Sequence, residues 1–239
     1  MRRVLVLLLI AACGDDGVRR LADAPTVDDA AADAAADALP DAGPTTRSEW
    51  DASSGVPPNT ISCVPWTLVD TSDEDPVLAS GELTLGNNSD GETLYFAHTT
   101  VLTMPAMLVI EGRVRYGGGT SQANSRTSTM INFSLANDMK NSLFIGDGEI
   151  FMLTAESTRD TPHTAATNDV VHSYRIEVNT TTYAVAVFRD GVSVLVGTLF
   201  LSPYDVPDAI TWGEGSIVAN GSSHWTHVSH NALTAVVCP

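Results

Sequence analysis

Between residue 58 and the C-terminus the chain is cut into short runs rich in β-branched and aromatic residues, and nowhere do apolar residues recur at helical spacing. The runs fall at 66–70, 82–85, 93–98, 107–116, 129–135, 142–145, 149–154, 170–178, 182–189, 192–201, 209–212, 224–230 and 233–237. Gly, Asn and Asp cluster between them, and Asp147-Gly148 and Asp190-Gly191 are two-residue hairpin signals. A parallel α/β sheet needs crossover helices, and no segment has the period for one. The pattern predicts an all-β, two-sheet antiparallel jelly-roll sandwich.

Alternation assigns faces within this sandwich. In 170–178, His172, Tyr174, Ile176 and Val178 share one face; in 107–116, Leu108, Ile110, Gly112, Val114 and Tyr116 do. Glu111, Arg113 and Arg115 line the opposite face of that second run. The run 182–189 is apolar on both faces, which predicts a central strand covered on both sides.

The N-terminus is of another kind. Met1-Arg2-Arg3 opens the chain, Val4 to Ile10 is an unbroken apolar run, and Ala11-Ala12 precede Cys13. This is the layout of a secretory signal, and no apolar stretch reaches the ~18 residues that span a bilayer. The tetrad Ile10-Ala11-Ala12-Cys13 resembles the lipobox of bacterial lipoproteins. That resemblance implies a signal peptide at 1–12, an acylated Cys13 at the mature N-terminus, and membrane attachment through its acyl chains. Gly14 is not the aspartate associated with inner-membrane retention, so the outer membrane or cell surface is the expected destination.

Residues 14–57 hold ten Asp and Glu against three Arg, with alanine runs and prolines at 25, 40, 44 and 57. Asp29, Asp33 and Asp37 would stack like charges on one helix face, with no apolar stripe to dock it. Low hydrophobicity with excess charge predicts a disordered tether over 13–57, with a span of roughly 35–40 Å, followed by one domain at 58–239. The whole chain carries 12 Lys and Arg against 29 Asp and Glu, a formal net charge of −17. Such a surface repels phosphate backbones and excludes nucleic acid as a partner.

With Cys13 acylated, Cys63 and Cys238 remain in an oxidising compartment, where a disulfide is the default. Such a bond makes neighbours of the first and last strands, with α-carbons within about 7 Å.

The segment His172-Ser173-Tyr174-Arg175-Ile176-Glu177-Val178, then Tyr183 to the Asp190-Gly191 turn, resembles a hairpin of concanavalin A-like lectin/glucanase domains, including the laminin-G-like branch. Ile210-Thr211-Trp212-Gly213-Glu214-Gly215-Ser216, followed by Ser223-His224-Trp225-Thr226-His227-Val228, resembles their closing strands. The resemblance implies a jelly roll with adjacent termini and a sugar binder, a protein-interaction module or a glycoside hydrolase. Glucanases of this fold carry three acidic residues at even spacing on one strand. Here the nearest approach is Asp147-Gly148-Glu149, a turn, so a laminarinase-type hydrolase ranks third and the expectation is a lectin-like, non-enzymatic domain.

Several metal and phosphate motifs fail on geometry. His224, His227 and His230 lie on a strand-like run, where His227 would face away from the other two, which stand about 20 Å apart; edge or surface histidines are expected. The loops 71–75 and 87–91 offer hard oxygens for calcium but lack the ordered Asp spacing, so solvated turns are expected and no cofactor is assigned. Gly117-Gly118-Gly119 opens no helix and is not a phosphate cradle. The remaining candidate is the polar face of 107–116. Glu111, Arg113 and Arg115 would supply hydrogen bonds, with Tyr95, Trp212 and Trp225 as a stacking surface for a glycan. The rival partner is an envelope protein.

Overall fold

The computed structural model describes residues 48–61, 64–87, 91–98, 102–120 and 126–234. Cys13, Cys63 and Cys238 lie outside the described residues, as do the signal peptide and most of the tether. Strands are numbered along the chain, and no α-helix occurs among the described residues.

Two antiparallel sheets carry the fold. The first runs β16 (Val192–Thr198), β15 (Ala184–Arg189), β14 (His172–Asn179), β7 (Met107–Gly119), β19 (Gly221–His230), β4 (Glu82–Asn87), β3 (Val77–Ala79), and β1 (Ser48–Asp51) also pairs with β19. The second runs β13 (His163–Thr164), β10 (Glu149–Phe151), β9 (Met139–Gly146), β8 (Thr129–Ser134), β18 (Ala209–Glu214), β5 (Leu94–His98), β2 (Thr67–Asp70), with β17 (Phe200–Leu201) on β9. Two short ribbons pair β11 (Leu153–Ala155) with β12 (Thr158–Arg159) and β6 (Leu102–Thr103) with β20 (Leu233–Thr234).

The inner faces are those the alternation predicts. Leu108, Ile110, Val114 and Tyr116 of β7 and Tyr174, Ile176 and Val178 of β14 are buried in one cluster with Ile131, Phe133, Leu143 and Ile145 of the second sheet. An aromatic knot joins the sheets. Trp212 stacks on Phe96 at 4.9 Å and on Trp50 at 5.5 Å, meets Trp66 edge-on at 5.7 Å, and lies 4.9 Å from Trp225. At the Asp190-Gly191 hairpin both residues have positive φ, 50° and 82°, the backbone that matches the twist of the paired strands.

Three expectations need correction. Strand β1 and the 3-10 turn Ala52–Ser54 fall inside the stretch assigned to the tether, so the folded domain begins before residue 58. The short Ser48–Asp51 segment reads as linker because its neighbours are polar, yet Trp50 is anchored in the core. The second correction concerns β15, which is next to the edge rather than central. Val185 and Val187 face the core, and the other face is only half-covered.

The third is the direction of the histidines. The far edge of β19 is served by β4 up to Trp225 and by β1 from His227 onward, and the register shifts between those two residues. The bulge changes the parity of the strand. Trp225, Val228 and His230 therefore point inward, while His224 and His227 share the outer face. None of the three is a free surface histidine: His224 is half-buried and the other two are buried.

Candidate functional site

The predicted polar face exists, on the outside of the first sheet. Glu111, Arg113 and Arg115 alternate along β7 with the core residues between them. Arg175 on the adjacent β14 donates to Glu111 at 3.1 Å and to Glu177 at 2.9 Å. Arg115 reaches Glu82 of β4 at 3.4 Å, and the same carboxylate lies 3.7 Å from Nδ1 of His224, which also meets the Thr84 hydroxyl at 3.1 Å. Burial holds the His224 imidazole below its usual value, and Arg115 adds to this while Glu82 opposes it. His224 is therefore a neutral hydrogen-bonding group at neutral pH.

Arg113 stands in the middle of this face, in register with Ser173 of β14 and His227 of β19. The other described cations, Arg115, Arg126, Lys140, Arg159, Arg175 and Arg189, each meet a carboxylate. Arg113 is exposed and engages no hydrogen bond or ion pair among the described residues. His227 beside it faces Glu49 and Asp51 of β1 at 3.7 and 3.6 Å. The Ser53 hydroxyl and amide, with a smaller contribution from His227, hold the Asp51 carboxyl below its ordinary value.

Beyond Arg115 the face runs into a cleft of about 490 Å³, within the size range of small-ligand sites. Its floor is backbone: Gly86 of β4, Gly117, Gly118 and Gly119 of β7, and Gly221 of β19. Glu74, Asp75, Thr84, Asn87, Asn220 and Ser222 supply polar groups around it. Gly118 and Gly119 have φ of 120° and 148°, a conformation that favours glycine. A Cβ on Gly117 would collide with the Ser222 hydroxyl and lie 2.9 Å from Nε2 of His224. The glycine run is not a phosphate cradle; without Cβ atoms it leaves the strand backbone uncovered at the floor of the cleft.

The proposed stacking residues are elsewhere. Trp212 and Trp225 are both 0% exposed in the aromatic knot, and Tyr95 lies on the second sheet, across the sandwich. Trp212 sits in a strand buried on both faces, so its sequence carries no alternation from which to read its direction. The sequence did not single out Glu82, Arg175, Glu177, Thr84 or Ser222; they come together only through cross-strand register.

Beneath the cleft is a second group that was missed. Glu214, from the Gly-Glu-Gly segment, is fully buried, and its Oε1 accepts from the Thr129 hydroxyl at 2.9 Å and from Ser223. Ser223 in turn accepts from Trp225 Nε1 at 2.6 Å. Burial pushes the Glu214 carboxyl up, against the hydroxyls of Ser128, Ser223 and Thr129.

Among the described residues no cluster of three His, Cys, Asp or Glu side chains is arranged to hold a metal ion. In the 71–75 loop, Asp70 caps the turn by accepting from the amide and hydroxyl of Ser72. Residues 88–90 of the other candidate loop lie outside the described residues.

No protein-family model matches the chain, and no curated protein matches it in sequence. Solved structures do match. Crh5 transglycosylase in complex with NAG superposes with a TM-score of 0.53 at 12% identity, over 80% of this chain and 84% of that one. The apo Crh5 transglycosylase gives 0.52 at 12% identity, over 80% and 85%. A sialidase matches at 0.49 and 13% identity over 71% of this chain, which spans only 17% of the sialidase. The shared feature is the fold, a two-sheet sandwich. The expectation of a non-enzymatic chain is corrected by these matches, because a transglycosylase is built on the same sandwich without needing this chain to share its residues.

Proposed function

We propose that this chain is an exported envelope lipoprotein with a concanavalin A-like domain that recognises a glycan along the outer face of the first sheet. One observation carries the reading: Arg113, exposed and without a counter-ion among the described residues, sits on a polar stretch of the sheet that continues into a glycine-floored cleft. A sugar needs directional donors and acceptors for its hydroxyls and a surface its ring can approach closely. The Arg175–Glu111–Glu177 and Arg115–Glu82–His224 groups are held by one another, so they meet a ligand already oriented. From Glu111 to Gly117 the face extends roughly 20 Å along β7, long enough for several sugar rings. A flat apolar patch would favour a protein partner instead; the stretch around Arg113 is lined by charged side chains, and the exposed Val192 and Val196 lie on β16, two strands beyond β14. The Crh5 transglycosylase solved with NAG has the same sandwich, which supports a carbohydrate ligand for this one.

Attachment through acyl groups on Cys13 and a Cys63–Cys238 disulfide complete the proposal. The acidic tether would then hold the domain off the lipid surface. The test is a glycan array probed with the full chain and with Arg113→Ala. Binding to a defined glycan set that drops at least tenfold in the variant, with an unchanged melting temperature, supports the reading. Equal binding by both proteins, or none by either, overturns it.

A further inference from the structure

The outer face of the second sheet holds a separate cavity of about 100 Å³, lined among others by Met130 and Asn132 of β8, Lys140, Ser142 and Phe144 of β9, and Ser216. We propose that it is a subsite for a carboxylate group carried on a small ring, as in a uronic-acid unit. The proposal rests on the glycan reading only for the ring; the carboxylate is argued from the cavity itself.

Lys140 is the single lysine of the sequence. Its Nζ meets Glu156 Oε2 at 2.6 Å, and Arg126 meets Glu156 Oε1 at 2.8 Å. Burial works to raise the Glu156 carboxyl, but Lys140 and Arg126 outweigh it and hold the group below its ordinary value. Two cations therefore share one ionised carboxylate, leaving a net positive charge in the wall of a small cavity on a chain of net charge −17. Neither cation spends all its donors on Glu156. A ligand carboxylate would enter beside Glu156 and bridge the same two side chains.

A second observation is independent of charge. Ser216 is 2% exposed, lines the cavity, and its hydroxyl has no hydrogen-bond partner among the described residues. A buried hydroxyl left unpaired is destabilising, and a bound oxyanion would supply the missing acceptor. Asn132 accepts from Ser142 at 3.0 Å through its carbonyl oxygen, so its amide hydrogens remain to donate.

The ring has a place as well. Met130, Phe144 and Phe200 form an apolar wall, and Lys140 Nζ sits 5.8 Å from the Phe200 ring centroid and 5.9 Å from that of Tyr204. Tyr204 is 65% exposed. An exposed aromatic ring next to a desolvated cation offers one surface for the C–H face of a sugar and one charge for its carboxylate.

Calorimetry on the full chain tests this with a glucuronate-terminated disaccharide, its glucose-terminated counterpart and acetate. The expected result is at least tenfold tighter binding of the carboxylated probe, with the preference abolished in Lys140→Met and weakened severalfold in Ser216→Ala. Ser216→Ala removes a hydroxyl without a partner, so it melts at or above the wild-type temperature and keeps the test independent of folding. Equal binding of the two disaccharides, binding of neither, an unchanged preference in Lys140→Met, or full competition by acetate overturns the proposal. Equal binding of the two disaccharides overturns this site while leaving glycan recognition standing, whereas binding of neither overturns both.

Discussion

Acid should weaken this domain through one imidazole. His98 is 2% exposed and stacks on Trp66 with ring centroids 3.6 Å apart. Its Nε2 lies 3.1 Å from the Val64 carbonyl, which can only accept, so Nε2 carries the proton. Its Nδ1, 2.8 Å from His230 Nε2, must then accept from that second ring. Adding a proton at Nδ1 sets donor against donor inside the core. Burial pulls His98 from 6.5 down to about 4, although the carbonyls of Val64 and Pro65 pull the other way. Between those two values the unfolded chain binds more protons than the folded one. The stabilisation is therefore complete above pH 6.5 and declines as the pH falls through 4, by about 3 kcal/mol in total. Urea unfolding followed by tryptophan fluorescence at pH 7 and pH 4 measures it, because all four tryptophans are buried. His98→Gln retains a donor for Val64 without titrating, and should lose about 3 kcal/mol less than wild type over that interval. An equal loss in both proteins would refute the assignment of the proton-linked destabilisation to this ring.

Glu214→Gln tests the opposite slope. The wild-type carboxyl is raised, so its contribution is present in acid and is lost as the pH climbs through the raised value; the unfolding free energy of the variant should gain on wild type from pH 5 to pH 9. A constant difference would contradict the raised Glu214 carboxyl. Gly221→Ala drives a methyl into the Ser128 hydroxyl and to 2.8 Å from the Gly118 carbonyl, and should cost about 1–3 kcal/mol in chemical denaturation. Trp212→Ala opens the aromatic knot and should cost about 3–5 kcal/mol, with a lowered melting temperature as the readout; a neutral effect would place this ring outside the core.

Legibility followed periodicity. The alternating runs of β7 and β14 show their faces in the sequence, and both proved correct residue by residue. Arg113 and its neighbours were readable for the same reason. What failed depends on partners far along the chain. The bulge in β19 arises where β4 hands over to β1, and β1 lies within an acidic stretch with no period of its own. Without that handover, strict alternation sends His227 inward and His230 outward, the reverse of the observed arrangement. Trp212 failed differently: a strand buried on both faces reads as apolar throughout, and its inward rings look like available stacking surface. The Lys140–Glu156–Arg126 group joins residues from three separate stretches, and its local sequence carries no motif.

A glycan bound to this chain should lie along the outer face of the first sheet and over its glycine floor. Amide shift mapping by NMR, with an oligosaccharide selected on the array, reads this contact residue by residue. Perturbations should concentrate at Arg113, Arg115, Gly117–Gly119, Ser222 and His224, with the amides of Trp212 and its core neighbours unmoved. Perturbations confined to the second sheet, or none at saturating oligosaccharide, would contradict it.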